Sequence, residues 1–113
     1  MINKELIKAS YLMDDEQSLA LLKLFQESSI NDLIDLDAGI ENKDYSIIVK
    51  YSHKLKSGAA YIFLESISEL FKEIETNARA EANLSDLKIL VDKSKYELEQ
   101  IFREIDKFSK SFK

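Results

Sequence analysis

The chain contains no proline and only two glycines in 113 residues. That is the strongest constraint on its fold. An all-β domain of this size needs a turn roughly every 8–12 residues, and those turns draw heavily on glycine and proline. Long helices joined by short connections need neither in their interiors. The apolar spacing agrees. Leu19, Leu22, Phe25, Ser29, Leu33, Leu36 and Ile40 follow one another at intervals of three or four, which draws one stripe along a helix. Asp14, with Gln17 three residues on, forms a capping-box signature at its start. Gly39 and the polar Glu41-Asn42-Lys43 mark its expected end.

A second helix is expected from Asp44, with Ile48, Tyr51, Leu55, Ala59 and Ile62 facing the core. A third carries Leu64, Ile67, Phe71, Ile74 and Ala78. In the last, capped by Ser85, the stripe is Leu87, Leu90, Ser94, Leu98, Ile101, Ile105, Phe108 and Phe112. A short extra helix over Asn3 to Leu12 is expected to cover one end. Short connections make consecutive helices antiparallel neighbours. The expected fold is therefore all-α: an up-down-up-down four-helix bundle with a short N-terminal helix, in a single domain spanning residues 1–113.

Composition narrows the function. Without cysteine there is no disulfide framework, no thiolate nucleophile and no cysteine-ligated metal, and a single histidine makes no multi-histidine zinc site. Neither a dinucleotide nor a P-loop glycine fingerprint is present. The net charge of −5 argues against general nucleic-acid binding. The longest apolar run, from Gly58 to Leu64, falls far short of the roughly 20 residues a membrane span requires. The N-terminus lacks the apolar core of a signal peptide, so the chain reads as a complete cytoplasmic protein.

The one histidine, His53, stands in the middle of the second helix. At about 100° per residue, Leu55 lies almost opposite it, so His53 faces water when Leu55 faces the core. Ser46, Val49, Lys50, Lys56, Ser57 and Ala60 share its face. Apart from the two lysines and Val49 they are small, and Ser57-Gly58-Ala59-Ala60 leaves the C-terminal side of the imidazole unwalled. Such a histidine is suited to taking and giving a phosphoryl group. A neutral imidazole is nucleophilic near pH 7, and nearby cations stabilise the charge gained. Between Lys43 and Lys56 four lysines stand against Asp44 alone, a local +3 against −8 in the rest of the chain. That basic zone suits an acidic or phosphorylated partner. Gly58, about 140° from His53 toward the bundle, reads first as a site of close helix packing and second as room for a partner.

The string His53-Lys54-Leu55-Lys56-Ser57-Gly58-Ala59-Ala60, at mid-helix in a four-helix bundle, resembles the histidine phosphotransfer (HPt) domain, whose core is H-x-x-K-G. The resemblance covers nearly the whole chain. It implies a phosphohistidine at His53, with Lys56 assisting the phosphoryl group, and a phosphoryl- and receiver-facing surface at Val49, Lys50, Ser57 and Ala60. It further implies a phosphorelay in which a receiver aspartate gives the group to His53 and another receiver aspartate takes it away. The partners are then the receiver domains of a hybrid histidine kinase and of a response regulator. No cofactor is expected on this chain, since Mg²⁺ belongs to the receiver. Lys54 stands where a kinase dimerisation domain has an acid, so the protein is expected to be a shuttle and not a kinase; no ATP-binding domain is expected, and the chain is expected to be a monomer. The family glycine four after the histidine is here Ser57, and the one ten after it is Phe63. Phe63 is expected at the helix junction. The rival readings are a receiver-binding module that never carries phosphate and a helical scaffold. No second titratable group is seen to converge on His53.

Overall fold

The structure is a computed structural model that describes residues 1–112. It is all-α among those residues, with five helices: α1 (Lys4–Tyr11), α2 (Asp15–Glu41), α3 (Tyr45–Tyr61), α4 (Glu65–Arg79) and α5 (Leu84–Lys110). Helix α2 packs on α3, α3 on α4, α4 on α5 and α5 back on α2, while α1 lies against α2. The starts follow local chemistry. Asn3 caps α1 by accepting from the Leu6 amide at 3.0 Å. Asp14 accepts from the Gln17 amide at 2.7 Å while Gln17 Oε1 accepts from the Asp14 amide at 3.0 Å, completing the expected capping box. Asp44 caps α3 through the Ile47 amide. The last helix is capped by Asn83 and not by Ser85, because the Asn83 carboxamide accepts from the Ser85 amide at 2.7 Å.

All four connections end their helices in the same way, and none uses glycine. Leu12, Lys43, Phe63 and Glu81 each adopt a left-handed backbone with φ between 52° and 63°. In each case the next amide reaches back over the turn: Met13 to the Lys8 carbonyl, Asp44 to Gly39, Leu64 to Ala59, and Ala82 to Asn77. These are Schellman-type closures, in which glycine is the usual left-handed residue. A side chain there costs roughly 1–2 kcal/mol. At Phe63 the ring offsets part of that cost by stacking on Tyr11, with centroids 5.8 Å apart, and Leu64 is buried behind it. Phe63 therefore sits at the α3–α4 junction, as expected. A glycine at this position in the resembled family has a physical reason in that backbone conformation.

The core is the set of expected stripes with small rotations. Ile48, Leu55, Ala59 and Ile62 are buried, but Ser52 takes the place expected for Tyr51, which is half-buried. Ser52 Oγ donates to the Ile48 carbonyl at 2.7 Å, so the hydroxyl is satisfied within its own helix. Ser18 and Ser94 do the same on α2 and α5. On α4 every expected apolar residue is buried. On α5 Val91 takes the core place beside Leu87, while Leu90 and Phe108 are half-buried and Phe112 is exposed.

Of the two glycines it is Gly39, and not Gly58, that packs closely against a neighbouring helix. Gly39 lies two residues before the end of α2 at Glu41, within the stretch expected to mark it. It is buried inside the last turns, and a Cβ there would stand 2.9 Å from Ile47 Cγ2 and 3.2 Å from the Ile48 backbone nitrogen. It is the close-packing glycine, where the start of α3 crosses α2. A Cβ on Gly58 would meet only the Phe25 ring, at 3.7 Å, an ordinary contact. Gly39→Ala is accordingly expected to cost about 1–3 kcal/mol through overpacking, and Gly58→Ala to gain up to about 1 kcal/mol of helix propensity. Thermal melts of the two variants check this. A Gly39→Ala protein as stable as the parent would contradict the assigned packing.

Candidate functional site

His53 projects from the middle of α3 with 55% of its side chain exposed. It does not stand straight out into water but leans toward α4, where Glu75 meets it. Nδ1 lies 3.1 Å from Oε2 and 3.3 Å from Oε1 of that carboxylate. Glu75 is only 6% exposed. Lys56, one turn along α3, donates through Nζ to Oε1 at 2.9 Å, and Arg79, one turn along α4, donates through Nη2 to Oε2 at 2.9 Å. A second tie fixes the two helices beside the site, since Ser68 Oγ on α4 donates to the Lys56 carbonyl.

Burial alone pushes the Glu75 carboxyl up. The hydrogen bonds from Lys56 and Arg79, the Lys56 charge and the His53 contact outweigh it and hold the group down at about 2. Glu75 is therefore a carboxylate at any physiological pH, and a carboxylate only accepts. Its contact with neutral His53 requires the proton on Nδ1 and leaves the lone pair on Nε2, the half of the ring that can act as a nucleophile. The expectation that no second titratable group converges on His53 is thus corrected: Glu75 does, and Lys56 and Arg79 are gathered on the same carboxylate.

The other anticipated site residues divide between two flanks of α3. Lys56 and the half-buried Val49 lie on the α4 side with His53, and Ser57 and Ala60 are exposed along the same face. Lys50 and Lys54 each hold Nζ 5.2 Å from the Tyr51 ring centre. Lys54 also reaches α2, 3.2 Å from the buried carboxylate of Asp32. This draws Lys54 away from His53 and toward a groove of about 330 Å³ between α2 and α3, bounded by Leu21, Leu24, Phe25, Gly58 and Tyr61. Leu24 and Tyr61 are more than half exposed there. Gly58 thus lines open space on this flank.

Two buried acids, Glu75 and Asp32, were not singled out from the sequence. Each had a signal. Glu75 falls four residues after Phe71 and three before Ala78, at the edge of the α4 stripe. Asp32 falls three after Ser29 and four before Leu36 on that of α2. An acid on an apolar stripe demands a cationic partner.

Among the described residues no group of three or more histidine, cysteine, aspartate or glutamate side chains is placed to hold a metal ion, and no helix is long and apolar enough to cross a membrane. No curated protein sequence matches the chain. Two solved structures share its fold. Histidine-containing phosphotransfer protein B (HptB) from Pseudomonas aeruginosa PAO1 superposes with a TM-score of 0.87 over 99% of this chain and 96% of that one, at 17% identity. The HPT domain of an Hpt sensor hybrid histidine kinase from Shewanella gives a TM-score of 0.77 over 94% of this chain and 91% of that one, at 18% identity. At such identities these likenesses speak for the fold alone. The sequence itself goes further, because residues 20–108, the stretch holding His53 and every group gathered about Glu75, match the model of the Hpt domain, and the chain belongs to that family.

Proposed function

We propose that this protein is a phosphorelay intermediate that receives a phosphoryl group on His53 from the phosphoaspartate of one receiver domain and delivers it to the aspartate of another. The observation that carries the reading is the contact of His53 Nδ1 with the ionised Glu75. In the forward step the Nε2 lone pair attacks phosphorus in line, the N–P bond forms, and the acyl-phosphate P–O bond breaks to release the receiver's carboxylate. The Nδ1 proton stays where it is. As the ring gains positive character, that proton is already held by a negative charge that needs no reorganisation. Lys56, within reach of the same carboxylate, turns to the incoming phosphoryl oxygens. The receiver supplies the Mg²⁺ and most of the charge stabilisation, as phosphoryl transfer requires.

Val49, Lys50, Ser57 and Ala60 form the face that meets the receiver. The α2–α3 groove beside them takes an apolar segment of it, with the lysines of α3 steering an acidic partner. A transient contact of this sort falls near the small end of specific interfaces, about 1,200 Å². Three- and four-residue connections, together with the closed ring of helix contacts, support antiparallel up-down-up-down packing of α2 to α5, with α1 as a cover. We place the protein in the cytoplasm as a monomeric shuttle without kinase activity of its own.

The test is transfer from a phosphorylated receiver. The wild type is expected to gain acid-labile, base-stable label, and His53→Gln to gain none. Label persisting in that variant would place the acceptor elsewhere. An unlabelled wild type that still binds receivers would favour a docking module that never carries phosphate.

A further inference from the structure

Lys56 carries one positive charge, and a phosphoryl group on His53 would compete with Glu75 for it. In the resting protein its ammonium is the partner of Glu75 Oε1. When it turns to the phosphoryl group on His53, it leaves the buried Glu75 carboxylate short of a cation. A buried charge that loses its partner is strongly destabilised, and the usual relief is to take up a proton. A protonated Glu75 would no longer hold the Nδ1 proton of His53, and the site would lose its arrangement in the step where it is needed.

Arg79 is placed to prevent this. Its Nη2 donates to Oε2, the oxygen nearer His53 Nδ1, from one turn further along the same helix as Glu75. Lys56 and Arg79 therefore hold different oxygens, from different helices. The guanidinium is 63% exposed and has donors beyond the one engaged, so it can widen its grip on the carboxylate when Oε1 is vacated. A guanidinium fork also fits a carboxylate with two parallel bonds, which an ammonium cannot make.

Building on the reading of His53 as the phosphoryl acceptor, we propose that Arg79 is a positioning residue for phosphoryl transfer, keeping Glu75 charged and aimed at His53 Nδ1 while Lys56 is released to the phosphoryl oxygens. The two cations divide the work: Lys56 travels and Arg79 stays.

The test uses the intact chain and phosphoramidate, a small donor that needs no docking surface. Its N–P bond breaks as the bond to His53 Nε2 forms, and ammonia leaves. Labelling rates are compared for wild type, Arg79→Gln, Arg79→Lys, Glu75→Gln and the Glu75→Gln/Arg79→Gln double variant, with melts to verify folding. Loss of one charged hydrogen bond in the transition state predicts that Arg79→Gln labels about ten-fold more slowly, with part of the rate restored in Arg79→Lys. The double variant should be no slower than Glu75→Gln alone, because Arg79 acts only through Glu75. An Arg79→Gln rate equal to wild type overturns the proposal. So does a double variant slowed by the product of the two single effects, which would put Arg79 directly on the phosphoryl group. A wild type labelled by neither phosphoramidate nor a phosphorylated receiver overturns the reading of His53 itself and this inference with it. Labelling of wild type with an indifferent Arg79 overturns only the inference.

Discussion

Glu75→Gln is expected to slow phosphoryl acceptance by His53 about 10- to 100-fold and to remove an acid-sensitive contribution to stability. Both effects come from one carboxylate. For transfer, an amide oxygen can still accept from Nδ1, so the ring keeps a partner, but the negative charge that balances the developing imidazolium is gone. For stability, the sign follows from the direction of the shift. Glu75 is held at about 2 against an ordinary value of 4.5, so the folded state binds its proton less readily than the unfolded chain does. Its contribution is fully present above pH 4.5 and is lost as pH falls toward 2. A shift of that size corresponds to at most about 3 kcal/mol, and solvent screening lowers it because His53 and Arg79 are more than half exposed. Urea unfolding at pH 7 and pH 3 checks the linkage. Wild type should lose stability between the two by more than the variant, and the two should converge toward the acid end. Parallel losses would mean that the buried carboxylate is not what acid titrates.

What the sequence disclosed and what it withheld follow from where each interaction is written. Helix starts are encoded within three or four residues, so Asp14 with Gln17 and the boundary at Asp44 could be read directly. Stripes are encoded within one helix, and those of α2 and α4 survive almost unchanged. His53 itself was legible for the same reason, since its placement follows from the phase of Leu55 on the same helix. The convergence of His53, Lys56 and Arg79 on Glu75 spans two helices, and no periodicity within α3 reports it. Gly39 and Gly58 show the same limit. A glycine in a helical stretch signals either a stop or a close approach, and only the position of the crossing helix decides which. The left-handed turn residues were hidden differently. Leu12, Lys43, Phe63 and Glu81 are not residues that advertise positive φ. Their geometry is imposed by the Schellman hydrogen bonds and the packing on either side.

Leu55→Ala is expected to cost about 2–5 kcal/mol while leaving transfer by the folded fraction close to wild type. Leu55 is two residues from His53 in the chain and only 3% exposed. At about 100° per residue the two side chains leave α3 in nearly opposite directions. Truncation to alanine empties space beneath the α2–α3 groove, whose floor Leu55 helps to form, and it removes none of the hydrogen bonds that Glu75 makes to His53, Lys56 and Arg79. For a domain of this length each kcal/mol lowers the melting temperature by roughly 4 °C, so the expected drop is readily measured. Transfer assayed well below that melting point should be preserved, in contrast to Glu75→Gln, where it falls. The pair separates the two functions of α3: one face carries cohesion and the opposite face carries chemistry. If Leu55→Ala lost transfer while keeping its melting temperature, the phase of α3, and with it the placement of His53 against Glu75, would have to be redrawn.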